Sequence, residues 1–323
     1  MDWKLLAILL SLALAVGCGD DDGGGDTPEG GTPDATGGDT PDADTGPDTT
    51  YFFVADTVAV AEAMMGNAMI VGGFNLDDAV TASGDTTTGC GKMDFTSPPP
   101  DNEPGVDNQL GPILAGLPGD LNVAGALRDT VNEGDLLLLF EVSGVNGTNF
   151  DPNVTVDIFL GTLTEGTMMP MLAGDRLAPG QTFDINASVG DQANGTPLAS
   201  VQGQIREGRL QAGPADIPID ITLGDITVTL AIRTAQIRVS FNAAVDSGTS
   251  GIIGGALRNM ELVDNLAAIP DLEGNEALVM GILQSQADLE PGDDGRCGAV
   301  SIGLEFTLAQ ATKGTPRMPA MGM

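Results

Sequence analysis

One stretch limits the fold more than any other. Ile217, Ile219, Ile221 and Leu223 alternate with Pro218, Asp220 and Thr222. Gly224-Asp225 follows, a pair suited to a two-residue hairpin turn. Ile226, Val228, Leu230 and Ile232 then alternate with Thr227, Thr229 and Ala231, so Leu223 and Ile226 should face each other across the turn. A third run sets Ala235, Ile237, Val239, Phe241 and Ala243 against Gln236, Arg238, Ser240 and Asn242. A period of two with one apolar side is the signature of antiparallel strands that bury one face.

The same alternation recurs at Val154–Val156–Ile158–Leu160, at Phe183–Ile185–Ala187–Val189 and at Val300–Ile302–Leu304–Phe306–Leu308. Residues 136–140 are continuously apolar, as in a strand buried on both faces. Phe159 breaks the pattern by pointing opposite to Ile158 and Leu160, so its face is either exposed or covered. Helical spacing is confined to residues 121–133, 258–268 and 276–287. Several one-faced strands need a second apolar surface, and a second sheet is the usual one. The expected fold is mainly β: an antiparallel β-sandwich-like domain with a few short helices over residues 51–315, then a flexible tail over 316–323.

What precedes this domain differs in kind. Residues 5–16 are apolar except for Ser11, a run of twelve. A spanning helix needs about 20 residues, whereas a secretory signal has a core of this shorter length. Residues 19–50 hold ten acids, nine glycines and no Lys or Arg. Such a chain buries too little apolar surface to offset its ordering entropy and reads as a disordered tether. A neutral flexible chain of this length spans roughly 30 Å, and charge extends it.

The apolar run ends in Leu14-Ala15-Val16-Gly17-Cys18. This resembles the lipobox of bacterial lipoproteins, with Ala15 in place of the commoner Leu. The resemblance covers the first eighteen residues. It implies that residues 1–17 are a signal peptide, that Cys18 carries a diacylglycerol and an N-acyl chain, and that the partner is a lipid bilayer. Gly19 stands where inner-membrane retention needs Asp, which implies the outer membrane of a Gram-negative cell. Export to an oxidising compartment leaves Cys90 and Cys297 as a disulfide candidate. Such a closed loop is worth about 5 kcal/mol in the loop-entropy model.

Composition removes several function classes. The chain has 46 acidic and 12 basic residues and a net charge of −34, the wrong sign for nucleic acid. Ten of those acids lie in the tether and one, Asp2, before it, leaving 35 against 11 bases, or −24, in the folded region. There is no histidine, which excludes Ser-His-Asp and Cys-His catalysis. No P-loop or nucleophile elbow is present. Glu133-Gly134-Asp135 is the nearest approach to a paired-carboxylate glycosidase motif, but Leu137 occupies its next alternate position.

Asp101, Glu103 and Asp107 follow Cys90, and Asp293 and Asp294 precede Cys297. A bridge between the cysteines would draw these acidic loops together, which makes calcium the candidate cation, although EF-hand spacing is absent. The expected protein is a non-catalytic, envelope-anchored domain with a structural or ligand-binding role and a protein or glycan partner. The alternatives are a carbohydrate-active hydrolase and a calcium-dependent carbohydrate-binding module.

Overall fold

A computed structural model describes residues 46–64, 67–86, 90–111, 123–223, 226–267 and 276–319. Eight long strands dominate it: β1 (Thr49–Val60), β2 (Leu138–Val145), β3 (Phe150–Leu163), β4 (Ala199–Arg206), β5 (Arg209–Leu223), β6 (Ile226–Phe241), β7 (Ser247–Arg258) and β8 (Cys297–Gln310). Each pairs antiparallel with the next in sequence, and β8 returns to pair with β1. The sheet therefore closes into an eight-stranded up-and-down barrel. This departs from the expected sandwich. The one-faced strands bury their apolar sides against one another across a closed barrel, so no second sheet is needed.

Eight strands leave an interior just wide enough for side chains to fill. Here aromatic rings fill much of it. Phe53 stacks on Phe241 at 5.4 Å and Phe140 on Phe306 at 5.2 Å, and all four are buried. Leu223 and Ile226 are register partners, as the alternation requires. The runs starting at Ile226 and Ala235 belong to one strand, β6. Its register slips between Arg233 and Gln236. Thr234 there has φ 49°. The inserted residue shifts the phase by one and keeps Ile232, Ala235 and Ile237 all buried.

Extra layers cover parts of the outer surface. α1 (Val123–Glu133) and the hairpin of Leu172–Ala173 with Arg176–Leu177 lie over β1. Strand Thr312–Arg317 pairs with Thr182–Asn186 beside β3. It also carries Lys313 Nζ to 4.4 Å above the Phe159 ring and to 2.6 Å from Glu141. The outward Phe159 is thus a covered residue, and residues 136–140 are buried on both faces as their composition requires. α2 (Asn259–Ala267) and α3 (Glu276–Gln286) pack together against β6, β7 and β8.

The insertion between β1 and β2 lies on β7 and β8. Two glycines make room for it. Gly254 and Gly303 are register partners. A Cβ on Gly254 would stand 2.6 Å from the Phe74 ring, and one on Gly303 would stand 2.7 Å from both Gly72 O and Asn108 Nδ2. Buried Asn108 joins three segments. Its amide nitrogen donates to Ala61 O and Gly72 O, and its oxygen accepts from Gly111 N and Gly303 N. The Cys90–Cys297 disulfide, with Cα atoms 5.9 Å apart, ties the insertion to the start of β8. Asn108→Ala leaves four buried backbone groups without their partner. Loss of at least about 3 kcal/mol is expected, read as a fall in melting temperature of roughly 6 °C or more.

Candidate functional site

With these layers in place, part of the outer face of β4–β6, between α2 and the β1–β2 insertion, remains open. Its outward residues oppose the buried phase: Gln202 and Gln204 against Val201 and Ile205, Gln211 against Leu210 and Ala212, Gln236 and Arg238 against Ile237. Register aligns Gln204, Gln211 and Arg238 in one row across three strands. Phe74, Asn75, Glu103 and Pro104 from the insertion form a rim, and the cleft between measures about 750 Å³. Gln202 Nε2 donates to Thr155 Oγ1 at 3.0 Å.

Arg238 anchors the rim. It is buried, its guanidinium lies 5.0 Å over the Phe74 ring, and it pairs with Glu103 at 3.2 Å and Asp101 at 3.4 Å. Arg209 grips the same Asp101 through both terminal nitrogens. The hydrogen bond from Arg209 holds the Asp101 carboxyl below its usual range. Burial, followed by the neighbouring Arg209 charge, lowers the Arg238 pKa. These pairs fix the insertion against β5 and β6 at the edge of the cleft.

A second constellation sits behind the rim. Asp94, Asp107 and Asp288 are buried, the last two only 2% and 1% exposed. Asp94 accepts from Thr81 N, Asp107 from Leu76 N, and Asp288 from both Ser301 N and Ser301 Oγ. Ser301 Oγ in turn accepts from Gln109 N. Burial raises all three acids, and repulsion from Asp77, Asp288 and Asp94 adds to the rise at Asp107. Asp107 is pushed up to about 8 and Asp288 to about 7.

The acidic residues singled out in the sequence fall in three places. Asp101 and Glu103 are ion-paired with arginine. Asp107 belongs to the buried acids. Asp293 and Asp294 lie on the exposed turn before β8, where Asp294 accepts from Arg296 N. Among the described residues no group of three or more His, Cys, Asp or Glu is placed to hold a metal ion. Cys18, the tether up to residue 45 and the Gly224-Asp225 turn lie outside the described residues. The glutamine cluster was present in the sequence as polar alternation, but polar alternation alone marks only a wet face. Comparison with protein-family models, curated proteins and solved structures gives no match.

The buried acids set a pH dependence. Their folded pKa values exceed the ordinary 3.8, so between about 4 and 8 the folded state holds protons that the unfolded chain has released. Stability is therefore greatest at the acidic end of this window and falls as pH rises through 7 and 8. The melting temperature is expected to be higher at pH 5 than at pH 8. Asp107→Asn should flatten that difference by raising the pH 8 value.

Proposed function

We propose that the chain is a lipid-anchored protein of the bacterial cell envelope, displaying a non-catalytic binding barrel on an acidic tether. Its ligand class is a neutral, hydroxyl-rich molecule such as an envelope glycan, bound in the cleft on the outer face of β4–β6. The four glutamine amides lining this cleft, Gln202, Gln204, Gln211 and Gln236, carry this reading. Each amide offers a donor and an acceptor without charge, which matches a surface of hydroxyl groups. The rings filling the interior favour an external site over a ligand within the barrel. Glu103, the one carboxylate among the described lining residues, is ion-paired with Arg238, which favours binding over paired-carboxylate hydrolysis. Outward glutamine and arginine side chains on β4–β6 are also the reverse of the apolar outer band of a membrane-spanning barrel.

Two measurements test the two halves of this proposal. A panel of envelope-derived oligosaccharides is expected to include a ligand whose affinity falls about tenfold or more in Gln204→Ala/Gln236→Ala, at about 1 kcal/mol per lost hydrogen bond. An undiminished affinity places the ligand elsewhere. In bacteria fed a clickable palmitate analogue, the wild-type chain should be labelled and sediment with membranes. Cys18→Ser should do neither, and a labelled variant would contradict the anchor.

A further inference from the structure

The loop after β3 exposes sulfur to an unusual degree. In Thr167-Met168-Met169-Pro170-Met171, the methionines are 91%, 61% and 63% exposed. Methionine ordinarily fills gaps in cores. Here three thioethers within four residues leave the core, while Pro170 between them is buried.

The backbone around them is held. Thr167 N donates to Thr164 O, and the two threonine hydroxyls lie 2.9 Å apart, closing a turn ahead of the methionines. Beyond them, Met171 N donates to Gln181 Oε1, and Met171 O accepts from Gln181 Nε2 and Ala178 N. The hairpin of Leu172–Ala173 with Arg176–Leu177 follows directly. The segment is therefore pinned on both sides with its sulfurs turned outward. Four residues of extended chain span at most about 14 Å, and each Met side chain has three rotatable bonds. Three sulfurs on so short a span can converge on one ion.

We propose that Met168, Met169 and Met171 form a binding site for a soft monovalent cation, Cu(I). Neutral thioethers are soft ligands that select Cu(I) over hard cations such as calcium or magnesium. They need no deprotonation, so the site functions without histidine or free thiolate. The exposed acids Glu165 and Asp175 flank the segment, and the domain's excess of acids draws cations toward it. Binding is a simple coordination equilibrium, with no change in oxidation state.

Silver(I) tests the site without a reductant, so the Cys90–Cys297 bridge stays closed. The full chain and its Met168→Leu/Met169→Leu/Met171→Leu variant would be titrated with Ag(I) and the bound ions counted by native mass spectrometry. Leucine keeps the apolar surface and removes only sulfur. The expected result is one Ag(I) per chain fewer in the variant, with melting temperature unchanged. Met168→Leu alone should weaken that equivalent at least tenfold. Equal stoichiometry and affinity in wild type and triple variant would overturn the proposal, leaving the methionines as an apolar contact surface.

Discussion

The pairing of β8 with β1 is the interaction on which the rest depends. Without it, the eight strands would form an open sheet with two free edges and an apolar face lacking a cover. With it, every barrel strand has two neighbours, and the apolar phase of each strand faces a common interior. Phe53, Phe140, Phe241 and Phe306 come from four strands spread over more than 250 residues, and closure alone brings them together. Rings fill the interior, and the cleft lies outside it, on the part of β4–β6 that the insertions on β1–β3 and β7–β8 leave uncovered.

The β1–β2 insertion holds its place by close approach more than by apolar mass. Gly254 and Gly303 remove side chains where Phe74 and Asn108 must sit, Asn108 satisfies four backbone groups, and the disulfide closes the far end. The same packing buries Asp94, Asp107 and Asp288 beside one another, and burial is the largest cause of the rise in each carboxyl's pKa. These acids oppose their own burial as they ionise. The arginine pairs with Asp101 and Glu103 hold the other side of the insertion and shape the cleft.

Much of this was legible in the sequence. Alternation or a continuous apolar run located β2, β3, β6, β8 and the end of β5, but not β1, β4 or β7. The runs starting at Ile226 and Ala235 read as successive strands of a meander where the structure has the single bulged strand β6. The helices run within a few residues of their predicted limits, and the two cysteines pair. The closure was not legible, because a period of two says that a face is buried and is silent on what buries it. The ion pairs were hidden for a related reason: Arg209 and Arg238 lie more than 100 residues from Asp101 and Glu103. An acidic loop therefore read as a cation site when its partners are arginines of the barrel. Asp94, Asp107 and Asp288 were visible as acids, but their burial depends on long-range packing. The glutamine cluster became visible as a candidate site only when the pairing of β4, β5 and β6 set its strands side by side.

Amide hydrogen exchange at the β1–β8 junction tests closure most directly. If the barrel is closed, amides of Val54, Ala59 and Ala61 and of Glu305, Ala309 and Ala311, which face across the junction, should exchange as slowly as those of Ile237 and Val239 within the continuous β5–β6–β7 region. Rapid exchange along either β1 or β8, with β5–β7 still protected, would show a free sheet edge and contradict the closed barrel.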